Sequence, residues 1–91
     1  METLKINLDL KDKLMVRKAL EYTGVYDHTI HCQLDMGQGP LQLSPQDLNI
    51  INNSLEEAAR RQTDWFQAEK FREVYGRFSA EAHKKEIDGY H

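Results

Sequence analysis

Ser44-Pro45-Gln46-Asp47 is the stretch of sequence that decides the fold, because it marks where the helical half of the chain begins. Ser44 is a favourable N-cap residue, Pro45 suits the first helical position, and Asp47 stands three residues after the cap. No proline follows it in the sequence. The stretch therefore predicts a helix that begins at Ser44 and a helical region that includes nearly half of the 91 residues.

The residues after Ser44 form two stripes with the three-four spacing of a helix. The first stripe consists of Leu48, Ile51, Leu55, Ala58, Gln62 and Trp65, and the second of Ala68, Phe71, Tyr75, Phe78 and Ala82. The second stripe is one residue out of register, and the change falls at the capping pair Thr63-Asp64. We therefore predict two helices, 44–62 and 64–87, folded as a hairpin and followed by a tail over 88–91. The alternative is one long bent helix of about forty residues, roughly 60 Å, which would need a partner chain to cover it.

Upstream, the chain predicts a strand and then a helix. Apolar and polar residues alternate over 3–8, which is typical of a half-buried strand. Asp9 is a suitable N-cap, and Thr23-Gly24 a suitable stop, for a helix over 10–23. The apolar residues of this helix lie on two sides, so it either contacts two partners or leaves an apolar strip exposed.

A second alternating run covers 29–36, with Ile30, Cys32, Leu34 and Met36 in one phase. Gly37-Gln38-Gly39-Pro40 follows as a turn, and Leu41 and Leu43 resume the alternation, which predicts a β-hairpin over 29–43. The predicted fold class is α+β, in a single domain over 1–91. A small antiparallel sheet, made of the hairpin and the N-terminal strand, packs against three helices.

Composition excludes several classes of protein. The chain is 40% hydrophobic and 30% charged, which is too apolar for obligate disorder. Its single cysteine excludes an intramolecular disulfide framework and a Cys-rich zinc site. A formal net charge of −3 argues against direct nucleic-acid binding. With no signal peptide and no long apolar run, we expect a small soluble protein of the cytoplasm that does not enter a membrane.

The segment around His28, His31 and Cys32 contains residue types that bind transition metals. In an extended strand, however, His28 and His31 point to opposite faces, as do His31 and Cys32. We therefore expect no metal site, no cofactor and no catalytic residue here. Because Cys32 shares the phase of apolar residues, we predict that its thiol lies in the core.

Most charged residues on the helices have partners of opposite sign four positions away. The expected pairs are Glu56–Arg60, Glu57–Arg61, Glu73–Arg77 and Glu81–Lys85. They indicate a solvated face. A basic group consisting of Lys11, Lys13, Arg17 and Lys18 lies on the first helix; it could contact a phosphate or an acidic partner, although mixed acidic residues favour a solvent face.

The aromatic residues carry the main functional hypothesis. Trp65 and Phe66 are adjacent and about 100° apart on a helix, so one can face the core and the other face outward. Arg61 and Arg72 are close by in sequence, and aromatic residues and arginine are enriched in protein interfaces. These four residues are our predicted partner-binding residues. We expect a non-enzymatic protein–protein interaction module, such as a regulator or stoichiometric inhibitor.

We further expect a homodimer or higher homo-oligomer formed through the C-terminal helices. The acidic net charge would complement a basic partner, and the small size suits an accessory or phage-type protein. One alternative is a binder of a small anionic or nucleotide ligand at a subunit interface, using Arg17, Lys18, Tyr22, Tyr26 and His28. The other is a small metalloprotein or enzyme centred on the His28, His31 and Cys32 segment.

Overall fold

The computed structural model describes residues 3–35 and 39–89, with side chains as far as residue 84. The described elements, in chain order, are β1 (Leu4–Ile6), α1 (Leu10–Thr23), α2 (His28–Asp35), β2 (Leu41–Leu43), α3 (Pro45–Arg61) and α4 (Trp65–Gly89). The α+β class, a small antiparallel sheet and a C-terminal helical hairpin are confirmed.

Helix α3 begins as its sequence predicts. The Ser44 hydroxyl accepts a hydrogen bond from the Asp47 amide, and the Asp47 carboxylate accepts one from the Ser44 amide, both at 3.2 Å. This capping box satisfies two donors that a helix start leaves unpaired. Helix α1 is likewise bounded by the Asp9 cap and by Gly24, which has a φ of 71°. Positive φ is readily adopted by glycine, so Gly24 ends α1 at low steric cost.

The predicted break between the two C-terminal helices is also present. Helix α3 ends at Arg61 and α4 begins at Trp65. The Asp64 carboxylate accepts a hydrogen bond from the Phe66 amide at 2.9 Å, so it caps the start of α4. A hairpin therefore forms in place of one long helix. Helix α4 extends to Gly89, so the predicted tail over 88–91 begins too early; Tyr90 and His91 lie outside the described residues.

The predicted β-hairpin over 29–43 is wrong; Gly37 and Gln38 of its predicted turn lie outside the described residues. Residues His28–Asp35 form helix α2, and β2 pairs antiparallel with β1, Leu4 opposite Leu43 and Ile6 opposite Leu41. The apolar pattern of this segment is ambiguous. Ile30 and Leu34 lie in the same phase of the alternation, as a strand requires, and they are also four residues apart, which is one helical turn. Both are buried, as a helix requires.

Two local interactions explain why this segment is helical. The Asp27 carboxylate accepts a hydrogen bond from the Ile30 amide at 3.1 Å, which is an N-cap three residues before its donor. The Gln33 side chain then bonds both backbone groups of Gln42, accepting from its amide at 2.6 Å and donating to its carbonyl at 2.9 Å. A side-chain amide on α2 thus occupies the edge of β2, where a hairpin partner was predicted.

The core lies among α1, α3, α4 and the inner face of the two strands. Its largest fully buried side chains include Phe71, Phe78, Ile6, Leu20, Ile51 and Leu55. Helix α1 runs antiparallel to α4: Asp12 contacts Arg77 near one end, and Tyr22 contacts Phe71 nearer the other. This arrangement leaves a groove between α1 and α4 on the outside of the molecule.

Candidate functional site

Large apolar side chains are exposed on one part of the described structure, namely α1, the segment after it and the first turn of α4. They are Leu10, Leu14, Tyr22, Tyr26, Trp65 and Phe66, each more than half exposed. Trp65 is 71% and Phe66 57% exposed, so the expectation that one of the two faces the core is wrong. In its first turns, α4 buries the side chains of Ala68 and Phe71, so the rings of Trp65 and Phe66 point outward.

The α1/α4 groove is lined by Leu14 and Met15 of α1 and by Val74 of α4, and it has a volume of about 630 Å³. Its remaining lining is charged and consists of Asp9, Lys11, Asp12, Lys18, Lys70, Glu73 and Arg77. Leu14 is exposed and Val74 is almost completely buried, so the apolar surface runs from the rim to the floor. The groove is therefore an apolar channel with a charged border.

Phe66 adjoins this groove through Lys70. The Lys70 ammonium lies over the Phe66 ring, 4.6 Å from its centroid, while the same lysine lines the groove. Lys18 lines both this groove and a neighbouring depression that contains Tyr22 and Phe71. Tyr22 at the end of α1 and Phe66 at the start of α4 are thus continuous with the groove.

The two predicted arginines do not share one site with the aromatic pair. Arg61 donates to the Tyr22 carbonyl at 2.8 Å and to Glu57 at 3.1 Å, so it fixes the end of α1 against α3. Arg72 lies 3.8 Å from Glu69 and lines a separate depression between α3 and α4. Trp65 and Phe66 are adjacent at the corner between α3 and α4. Arg61 supports Tyr22 at the end of α1, and Arg72 lies in the separate depression.

The residues of the alternative ligand site lie in three places. Lys18 and Tyr22 share a depression of about 410 Å³. Arg17 is paired with Asp35 and lies 3.6 Å from Glu21. Tyr26 stacks on His31, with 4.6 Å between ring centroids, and its hydroxyl is 3.5 Å from Nδ1 of His28. The five residues therefore do not converge on one cavity.

Cys32 is exposed, so the predicted core thiol is wrong. On α2, His28 and Cys32 are one turn apart, with Sγ 3.5 Å from Nε2 of His28. His31 faces elsewhere, with Nδ1 2.9 Å from the Asp27 carbonyl oxygen. Within residues 3–35 and 39–84, no group of three His, Cys, Asp or Glu side chains is placed to hold a metal ion.

Of the four predicted surface ion pairs, Glu56–Arg60 and Glu57–Arg61 form and Arg77 has a different partner. The fourth, Glu81–Lys85, involves a side chain outside the described ones. The Arg77 guanidinium donates two hydrogen bonds, both 2.7 Å, to the carboxylate of Asp12, which is only 3% exposed. These bonds raise the pKa of Arg77 above its ordinary value. Lys13, predicted on a solvent face, is buried and donates to the Gly39 carbonyl.

Sequence reasoning missed most residues of the groove, among them Leu14, Met15, Lys70 and Val74. The available signal was the four-residue spacing of Leu10, Leu14, Lys18 and Tyr22, which places them along one side of α1, away from buried Val16 and Leu20. The sequence left open whether this helix contacts two partners or exposes an apolar strip, and it could not say which part of α4 lies beside the strip. That border depends on how α1 and α4 pack.

Among the described residues, no helix combines the length and the apolar character needed to cross a membrane. Comparison of the chain with protein-family models, with curated proteins and with solved structures found no match.

Proposed function

We propose that this protein is a non-enzymatic interaction module that binds a partner protein, in the manner of a small regulator or stoichiometric inhibitor. The observation that supports the proposal is the joint exposure of Trp65 and Phe66 at the corner between α3 and α4. Aromatic rings dominate the binding energy of many protein interfaces. Burying the exposed parts of these two side chains would contribute roughly 3 kcal/mol.

Binding is favoured over catalysis by where the reactive side chains lie. Cys32 and His28 are close together, but on the exposed face of α2 and outside the depressions described above. A nucleophile and its base need a cavity that excludes water and positions a substrate. The exposed apolar surface, by contrast, lies on α1 and α4. In this proposal the protein acts in the cytoplasm, where an exposed thiol such as Cys32 stays reduced.

The proposal includes self-association, with a second copy packed against the Trp65–Phe66 corner. The helical hairpin presents this corner at one end of the molecule, where Arg61 holds the end of α1 beside it. Two copies related by a two-fold axis would each contribute Trp65 and Phe66, so that four aromatic rings pack together. The same surface of both copies would then form an isologous interface.

The mass in solution, measured by light scattering over a wide concentration range, tests self-association. We expect the mass to rise toward that of a dimer, and the fluorescence of Trp65, the single tryptophan, to shift to shorter wavelength as the ring is buried. Trp65→Ala with Phe66→Ala should give a monomer. Tyr26→Ala removes a similarly exposed ring outside this corner and should leave the mass unchanged.

A partner screen with the same variants tests the wider proposal. Partners that bind the wild type should be lost with Trp65→Ala and Phe66→Ala and kept with Tyr26→Ala. A strictly monomeric wild type, combined with a set of partners that the double variant leaves unaltered, would contradict the proposed function.

A further inference from the structure

We infer that the α1/α4 groove is the docking site for an acidic amphipathic helix of a partner protein. This inference rests on the proposed function and adds the chemistry of the partner. It differs from the expectation based on net charge, because an acidic protein as a whole would attract a basic partner.

The apolar part of the groove fits one face of a helix. Leu14 is 55% exposed, and Leu10, one turn earlier on the same side of α1, is 58% exposed. Met15 and Val74 continue this surface toward the floor. Two antiparallel helices present parallel ridges, and a third helix packs into such a channel at an axial separation of about 8–10 Å. Helix-in-groove binding uses this combination of exposed anchors and apolar floor.

The length of the groove indicates how long the docked helix is. Helix α1 has 14 residues, which is roughly 21 Å. The Asp12–Arg77 pair crosses from α1 to α4 near one end, and Phe66 with Lys70 borders the other. A partner helix of about four turns spans this distance and places apolar residues at three-four spacing against Leu14.

The charges on the border select the sign of the partner. Lys11, Lys18 and Lys70 line the groove, and none of them forms an ion pair with the described side chains. Of the three acidic lining residues, Asp12 is neutralised by Arg77, Asp9 caps α1, and the exposed Glu73 offsets one of the lysines. Four basic and three acidic side chains give the groove a net charge of +1, on a protein whose net charge is −3.

The lysines also indicate where the partner carries its carboxylates. Lys11 and Lys18 are seven residues apart, two turns or roughly 10 Å along one wall, and Lys70 lies on the opposite wall. Glutamate or aspartate on both sides of the apolar stripe, two turns apart, would meet these ammonium groups. Such exposed pairs set the choice of partner and the rate of association more than they set total affinity, and salt screens them.

A displayed peptide library tests the inference without knowledge of the natural partner. The library consists of helical peptides of about four turns with varied large apolar residues at three-four spacing. Glu, Lys or Gln occupies every flanking position. Selection uses the whole wild-type chain as bait. We expect enrichment of peptides with an excess of glutamate beside the apolar stripe, and weaker binding as salt concentration rises.

Variants of the bait identify the groove as the binding site. Leu14→Asp should abolish binding of the enriched peptides, and Lys18→Glu combined with Lys70→Glu should weaken it about tenfold. Lys84→Glu makes the same type of charge change at an exposed position of α4 outside the groove, and should have no effect. Because all three lysines and Leu14 are at least partly exposed, these variants should fold, which circular dichroism checks.

Several results would overturn the inference: no enriched peptides, enrichment of lysine-rich or uncharged ones, or binding that Leu14→Asp leaves intact. Two others would assign the groove to a different occupant. One is a dimer that Leu14→Asp dissociates while acidic peptides fail to compete, and the other is binding to vesicles of anionic lipid without selection of acidic peptides. A dimer broken only by Trp65→Ala and Phe66→Ala, with no peptide selected, would leave the proposed function intact and remove this inference alone.

Discussion

The Arg77 guanidinium on α4 donates two hydrogen bonds, both 2.7 Å, to the carboxylate of Asp12 on α1. The two residues are 65 positions apart, and the side chain of Asp12 is only 5% exposed, whereas that of Arg77 is 55% exposed. The pair holds one end of α1 against α4 and so fixes the width of the α1/α4 groove at that end. A bidentate geometry of this kind favours arginine over lysine.

Arg77→Met should lower the free energy of unfolding by about 2 kcal/mol, because it leaves the buried Asp12 carboxylate without its partner. Breaking a fully buried pair typically costs about 3 to 5 kcal/mol. The loss expected here is about half of that, because solvent screens the exposed guanidinium. Urea denaturation measures the change. Arg72→Met, which removes an exposed arginine 3.8 Å from Glu69, is the control and should cost less than about 1 kcal/mol.

The same pair has a defined pH dependence. Hydrogen bonds to Asp12 raise the pKa of Arg77 in the folded protein. The stability that the pair contributes is therefore fully present at any pH below the pKa of Arg77 in the unfolded chain, and it is lost only as pH rises through the pKa in the folded protein. Since the ordinary pKa of an arginine already lies far above this range, the difference in stability between wild type and Arg77→Met should be the same at neutral and at mildly alkaline pH. A difference that falls steadily across this range would show that another group controls the interaction.

Gln33→Ala should destabilise the protein by about 1 kcal/mol, because it removes two hydrogen bonds to the backbone of Gln42. The cost is modest since water can reach the freed groups. Gln46→Ala removes an exposed glutamine on α3 and should change stability by less than about 0.5 kcal/mol. Equal effects of the two substitutions in urea denaturation would argue against a role for the Gln33 amide at the edge of β2.

Phe78→Ala and Phe66→Ala remove the same ring from opposite environments. Phe78 is fully buried, so its loss creates a cavity and should cost about 3 to 5 kcal/mol. Phe66 is 57% exposed and contacts Lys70, so its loss should cost less than about 1 kcal/mol of stability. Thermal and urea unfolding measure both changes. A large loss of stability for Phe66→Ala would mean that the ring serves the fold, which would weaken its assignment to an interface.

The Cys32 thiol should react with a disulfide reagent in the folded protein about as fast as in urea, because it is exposed on α2. The rate of reagent release, followed by absorbance, measures this. Protection of the thiol until the chain unfolds would contradict the exposed position and favour the core position predicted from sequence. Cys32→Ser should leave stability within about 0.5 kcal/mol of the wild type.

The sequence predicted a helix correctly where a capping residue marks the start or the end of that helix. Ser44 and Asp47 mark the start of α3, Asp9 and Gly24 bound α1, and Asp64 separates α4 from α3; all act over a few residues. The segment 28–35 was mistaken for a strand because Ile30 and Leu34 satisfy both periods. Its N-cap, Asp27, is a helix signal that the prediction of a strand ignored.

The candidate site was predicted only in part, for a similar reason. Trp65 and Phe66 attract attention in any sequence, but whether a ring is buried depends on which side of α4 meets the core. The groove residues lie on two helices, at positions more than fifty residues apart in the sequence, and no local pattern relates Leu14 to Lys70.

The sequence by itself determined where most helices begin and end, because capping and helical spacing are interactions between near neighbours. It also determined the net charge. Tertiary structure alone decided the partner of β2, the exposure of Cys32 and of both corner aromatics, and the pairing of Arg77 with Asp12 in place of Glu73. It also decided that three lysines surround an apolar groove on an acidic protein. These features depend on packing between distant segments, where burial of apolar surface, which has no preferred direction along the chain, selects the arrangement.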